Sequence, residues 1–389
     1  MVNIDTNLYR GSTGDDLLSE FCQEMLMHLP RSDQRRWGEI YIRGLVSVPG
    51  RKSIRRMSDY IVGGRADQGI QQFVNQSPWE WAPVRRSLAN HVLSLSKPDA
   101  WVVDEVVIPK NGANSVGVAR QYAPSAGRVL NCQLGLGIFL SSGELTSPVN
   151  WRLLLPPSWD GDAARRDRAH VPDHERHRTR WQYLIDALDE MTFEWELPPM
   201  PIVVDSSHDT SVEPLLRALE ERGHRYLVRI ASGTPMSLGA TACRTDTITA
   251  SELATLVNRN GSTSLSWRND DGTASRFVLQ PLHRGGLGIH RPRHLLAEWL
   301  PGQQRPNGIW LTNLTSVRLP QLIDLARTPR RTRAELSDLR QELGLCHFEG
   351  RSFRGWHHHL TLVSLAHAYV RGRDLAERDE QLRLRASYA

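Results

Sequence analysis

Two carboxylates stand side by side where an apolar segment runs into them, Trp101-Val-Val-Asp104-Glu105-Val-Val-Ile108. A third, Asp205, closes a second apolar run, Pro201-Ile-Val-Val-Asp. In open α/β sheets, ligands bind beyond the carboxyl ends of the strands. Asp104 or Glu105 together with Asp205 would converge at one such edge. Carboxylates brought together repel unless a divalent cation lies between them, and a pair of such ions can activate water and stabilise a leaving oxygen in phosphoryl transfer. The bland counterpart is that single acids after apolar strands often cap helices or turns. His208 and Asp209 follow Asp205 closely enough to line the same pocket.

The elements that must position these acids read as an α/β fold. Residues 15–95 carry apolar positions at helical spacing, as in LLSEFCQEMLMHL and WGEIYIRGLV, so residues 1–99 form a helical, DNA-binding domain in this reading. Within it Arg51, Lys52, Arg55 and Arg56 share a helix face suited to gripping phosphate, and Arg85 and Arg86 add a second basic point. From Ala100 the pattern turns to strands: WVVDEVVI, then GRVLNCQLGLGIFLSSGELTSPVNWRLLLP as a meander. Residues 201–230 read strand, loop, helix, strand, the order of a parallel α/β unit, which completes a core segment over 100–230. Residues 231–308 look like a β-rich insertion. A last core strand, GIWLTNL, and helices through RLPQLIDLA, TRAELSDLRQELG and HLTLVSLAHAYVRGR occupy 309–372, and 373–389 is a charged tail expected to fray.

A chain of 389 residues with 40% hydrophobic and 23% charged residues has the balance of a globular protein of two to three domains. No apolar run approaches the roughly 18 residues of a membrane span. The N-terminus lacks the basic-then-apolar order of a secretory signal, so the cytoplasm is the expected compartment. Cys22, Cys132, Cys243 and Cys346 are scattered and read as reduced thiols. The net charge of +5 favours an anionic partner. Lysine occurs only at Lys52, Lys97 and Lys110, so arginine, whose planar fork suits phosphate, carries nearly all the positive charge. A GC-rich genome would enrich arginine as well.

Three segments, residues 101–122 (WVVDEVVIPKNGANSVGVARQY), 203–223 (VVDSSHDTSVEPLLRALEERG) and 342–370 (ELGLCHFEGRSFRGWHHHLTLVSLAHAYV), resemble the core segments of DDE-superfamily insertion-sequence transposases, in the branch with a Tyr-Arg-Glu-Lys signature. Residues 41–61 and 68–88 resemble that family's helical region. The resemblance implies an RNase H-like mixed sheet flanked by helices, interrupted by the β-rich insertion, that cuts and joins DNA with two Mg2+ ions held by Asp, Asp and Glu. It also implies a homodimer on DNA.

Carried over residue by residue, the resemblance places Glu105 at the first metal position, one methylene longer than the family's Asp, with Val106 where the family has Thr. Asp205 matches the second. Counting back from ELGL, Arg340 stands at the signature Lys, Arg333 at the signature Glu and Pro329 at the signature Arg. Glu335 is two residues along, a rotation of about 200° on a helix; Glu342 and Glu349 are further candidates. A guanidinium at position 333 could satisfy Glu105 and Asp205 in place of a metal. Lys110, Arg120, Arg340, Arg351 and Arg354 complete the candidate DNA contacts.

His357, His358 and His359 point about 100° apart on a helix and cannot all bind one ion, so structural or phosphate-contact roles are expected of them. Cys346 beside His347 reads as a buried thiol, and Trp79, Trp81 and Trp356 as core. The leading expectation is a transposase-family protein with impaired catalysis. Its rivals are a domesticated DNA-binding or regulatory protein without nuclease activity, and an enzyme that turns over a small molecule in the old pocket.

Overall fold

The computed structural model describes residues 14–237, 247–259, 263–268, 272–282 and 292–387; Cys243 and the residues before 14 lie outside these. Five helices come first: α1 (Gly14–Met25), α2 (Ser32–Ser47), α3 (Ile54–Val62), α4 (Asp67–Asn75) and α5 (Trp81–Leu95). Strand β1 (Ala100–Pro109) is followed by β2 (Ala119–Ala123), β3 (Arg128–Ser141) and β4 (Thr146–Leu154), then by helices α6 (Ala163–Arg168) and α7 (Arg180–Asp189). Next come β5 (Ile202–Asp205), α8 (Glu213–Glu221) and β6 (Tyr226–Arg229), then β7 (Pro235–Ser237), β8 (Thr247–Thr249) and α9 (Ala250–Arg259). Strands β9 (Thr263–Arg268), β10 (Ala274–Leu282), β11 (Arg293–Trp299) and β12 (Gly308–Thr312) precede α10 (Leu319–Gln341) and α11 (Phe353–Ser387).

The chain divides into two compact units. The first holds the residues up to Pro98, Glu105–Leu197 and those from Arg331 on; the second holds Asp99–Asp104 and Pro198–Arg330. In the first unit the opening half of α11 is buried on every side apart from Arg354, with Leu360, Leu362, Val363, Leu365 and Ala366 all buried. Such a helix has no solvent stripe and must be covered on every side. Helices α2, α4 and α5 and strand β4 cover it. Arg85, read from sequence as a surface basic point, is instead fully buried and joins three of these elements. From α5 it donates to Thr361 Oγ1 at 2.8 Å, to Trp151 O at 3.0 Å and to His357 O at 3.1 Å. Strands β2 and β4 pair with successive stretches of β3, antiparallel as the meander reading requires.

In the second unit the strand order is β1-β5-β6-β12-β11-β10-β9. β1, β5 and β6 are parallel, with Val102 opposite Val203 and Val203 opposite Leu227. Their apolar residues run on without alternation, as in strands buried on both faces, and helix α8 makes the crossover between β5 and β6. The segment expected as an insertion contributes helix α9 and extends the sheet through the β11–β12 pairing. A large mixed sheet flanked by helices is the α/β architecture of an RNase H-like fold.

Two expectations are corrected. The charged tail over 373–389 continues α11 as helix to Ser387. The two helices expected either side of Pro329 are one, α10, with Pro329 inside it. Proline removes the N–H that would reach the carbonyl four residues back. That carbonyl belongs to Leu325, and the Thr328 hydroxyl donates to it at 2.8 Å.

Candidate functional site

Asp205 ends β5 in register with Arg229 of β6. Arg229 Nη1 donates to Asp205 Oδ2 at 3.2 Å, and Ser207 donates to Oδ1 through its backbone N at 3.0 Å and its hydroxyl at 2.5 Å. Arg229 is fixed in turn by a 3.0 Å bond to Asn307 O, and its guanidinium lies 5.9 Å from the Trp310 ring centroid. Arg229 is thus an arginine beside an acid at this strand end, and the sequence reading missed it, because the pairing depends on the β5–β6 register. His208 is exposed in the turn after β5.

Asp104 and Glu105 are consecutive on β1, so they point to opposite faces. Asp104 is half-buried and belongs to the second unit; Glu105 is buried and belongs to the first. The Glu105 carboxylate lies near Cys132 of β3: burial pushes the Cys132 thiol pKa up, and Glu105 adds to the rise. Val106, at the family's Thr position, is fully buried.

Arg333 is exposed on α10. Glu335, two residues on, faces α11, where it accepts from His367 Nε2 at 2.8 Å and from Arg371 Nε at 2.8 Å. Burial alone would raise the Glu335 pKa, but His367 and Arg371 carry it below the usual value. Glu349 is exposed and paired with Arg51 at 2.5 Å, and Glu342 is exposed at the end of α10. Among the described residues, no group of three or more His, Cys, Asp or Glu side chains gathers as a metal site.

The basic residues do gather. A cleft of about 850 Å³ is lined by Arg51, Arg55, Arg168, His170 and Arg351 with the N-terminal end of α3 and one side of α4. A second, of about 790 Å³, is lined by Arg51, Lys110, Arg340, Cys346 and His347. Arg51 and Glu349 belong to both walls, so the clefts adjoin. Arg168 and His170 were missed in the sequence, where their segment read as a charged loop. Its signal was Asp162, whose carboxylate accepts from Arg165 N at 2.9 Å and starts helix α6.

Lys52, expected on the same basic face, is only 6% exposed and its ammonium donates to Val48 O. Its stem occupies the space over Gly344, where a Cβ would meet Lys52 Cγ at 2.6 Å. Burial lowers its pKa. Arg56 and Arg354 are exposed, and Arg120 is exposed on the β2–β3 hairpin. Lys110 is held by a 2.5 Å bond to Phe348 O, with its pKa lowered by burial. Cys346 is partly buried and burial raises its pKa, against the pull of Arg340, so it is a thiol rather than an activated nucleophile.

The three histidines are internal. His357 stacks on Trp81 with centroids 4.4 Å apart and His358 on Trp79 at 3.7 Å. The Nδ1 of His359 lies 2.9 Å from the Tyr41 hydroxyl. Burial pushes His358 and His359 down to about 3, so all their roles are structural at neutral pH.

Against known proteins, residues 24–247 match the DDE superfamily endonuclease family. A curated relative, described as a probable transposase for insertion sequence element IS701 from Microchaete diplosiphon, is 26% identical over 194 residues, 49% of this chain. The match spans about half the length of that relative, 47%. No helix among the described residues is long and apolar enough to cross a membrane. With more than half its length matched, the chain belongs to the DDE superfamily endonucleases.

Proposed function

We propose that this chain is a duplex-DNA-binding protein of transposase descent in which metal-dependent cutting and strand transfer are impaired. The observation that carries the DNA-binding part is the gathering of Arg51, Arg55, Arg168 and Arg351 in one cleft that adjoins a second holding Lys110 and Arg340. Such arginine-rich grooves suit a phosphate backbone. The residues present do not fit the pair of divalent ions that this family generally uses. Glu335 is held by His367 and Arg371, Asp205 is already neutralised by Arg229, and Arg333 stands at the signature position.

The test is a Mg2+- or Mn2+-dependent nicking assay on duplex DNA from the flanks of the gene, run beside a binding measurement. Salt-dependent binding without nicking is expected. Nicking by the native chain that Asp205→Ala abolishes would sink the impaired-catalysis reading while leaving the binding intact. A homodimer on DNA is part of the same proposal, and a complex with one protein copy per site in light scattering would count against it.

A further inference from the structure

We infer that α4 is a base-reading helix, and that Gln68, Gln71, Gln72 and Gln76 recognise adenine-bearing base pairs in the major groove of duplex DNA. This rests on the DNA-binding reading above and deepens it, since arginines on phosphates position a duplex without reading it.

The segment Asp67-Gln-Gly-Ile-Gln-Gln-Phe-Val-Asn-Gln places Gln68, Gln71 and Gln72 at i, i+3 and i+4, one face of α4, with Gln76 just past its C-terminal end. Ile70, Phe73 and Val74 are buried on the opposite face, against the rest of the first unit. All four glutamines are exposed, and none of their side-chain amides makes a hydrogen bond or ion pair within the described residues. An exposed helix in so arginine-rich a chain would ordinarily carry charges on its solvated face. Here α4 has only Asp67, which accepts from Ser58 Oγ at 3.2 Å at the helix start. An amide offers one donor and one acceptor in a plane, the pattern that pairs with adenine N7 and N6 in the major groove.

The setting supplies the geometry. A four-residue turn, Gly63–Ala66, separates α3 from α4; Gly63 and Gly64 have φ of 75° and 94°, a left-handed backbone that glycine adopts without strain. Both helices pack on α2 and on each other. Two helices joined by a short glycine turn and backed by a third are the parts of a helix-turn-helix unit, whose second helix enters the groove. Gln71 and Gln76 line the arginine cleft itself. A strand whose phosphates lie on Arg51, Arg55 and Arg351 would therefore present the adjoining groove to the amide row. Asn75 is a positioning residue: its Nδ2 donates to Gln71 O at 3.2 Å, and a Cβ on Gly350 would fall 2.0 Å from its Oδ1.

The experiment is selection from a random duplex pool with the full chain, followed by fluorescence anisotropy on the selected duplex and on versions with single A·T pairs changed to G·C. The native chain is expected to select an adenine-containing motif and to lose affinity roughly tenfold for a change at a read position. Gln68→Ala and Gln72→Ala, which remove exposed amides that line neither cleft and should melt as the native chain does, are expected to lose that discrimination. Their affinity for unrelated duplex should stay within about twofold, because each arginine contact remains. Arg351→Ala should weaken every duplex equally. Retention of the native motif by both glutamine variants, selection of a motif without adenine, or equal binding of all duplexes would overturn the inference and leave DNA binding standing. No binding to any duplex would instead remove the DNA-binding reading, and this inference with it.

Discussion

A proton on His358 or His359 would have to enter the interior, and that gives this protein a predictable acid sensitivity. Burial holds both histidines at about 3 and His91 at about 4. In the unfolded chain they take up protons below about 6.5. Their folded pKa values are depressed, so the native state is at full strength above about 6.5 and loses stability as pH falls from there towards the folded values. Each contributes a slope of about 1.4 kcal/mol per pH unit in that window. Urea midpoints at pH 7.5, 6 and 5 should decline steadily, and a flat profile would contradict the placement of these rings. Glu335 invites the complementary measurement. Removing its charge by Glu335→Gln deprives His367 and Arg371 of their shared carboxylate, at an expected cost of about 2 kcal/mol. DNA affinity should be unchanged, since the ion group ties α10 to α11 and lies on neither cleft wall. A loss of binding without a loss of stability would return Glu335 to the functional surface.

Helix α10 crosses Pro329 because a neighbouring hydroxyl takes over the lost bond, which makes a two-residue cycle informative. Thr328→Val should cost about 1 kcal/mol by leaving the Leu325 carbonyl unmet. In a Pro329→Ala background, where the new N–H can reach Leu325 O, the same change should cost little. Additive effects would show that the Thr328 hydroxyl acts elsewhere. This is also where the sequence was misleading: a proline in helical periodicity reads as a boundary, and nothing in the pattern announces that the preceding threonine compensates. The β5–α8–β6 unit, by contrast, was legible, because an uninterrupted Val-rich run, a short loop and a charged amphipathic stretch admit few other arrangements. The Asp205–Arg229 pair was not, since it depends on which residues of two strands stand opposite each other, and periodicity carries no register. Lys52 was misplaced for a related reason. It precedes the Ser53 cap of α3, so helix-face spacing did not apply to it, and the cleared space over Gly344 drew its stem inward.

For the molecule taken whole, the charge total says less than where the charge collects. A net +5 is modest for a chain of 389 residues, and dispersed over the surface it would be largely screened at physiological salt, where the Debye length is about 8 Å. Within the two adjoining clefts, the arginines lie near enough together for one strand of phosphates to meet several at once and release its counterions. Duplex affinity should therefore fall linearly with the logarithm of salt concentration, with a slope set by the number of phosphates engaged. Arg51→Ala combined with Arg351→Ala should reduce the magnitude of that slope by about 2. The same double change on Arg31 and Arg378, exposed residues that line neither cleft, should leave it within about half a contact of the native value. Equal slopes for the two double variants would mean that binding follows overall charge, and the clefts would then have no special claim on the DNA.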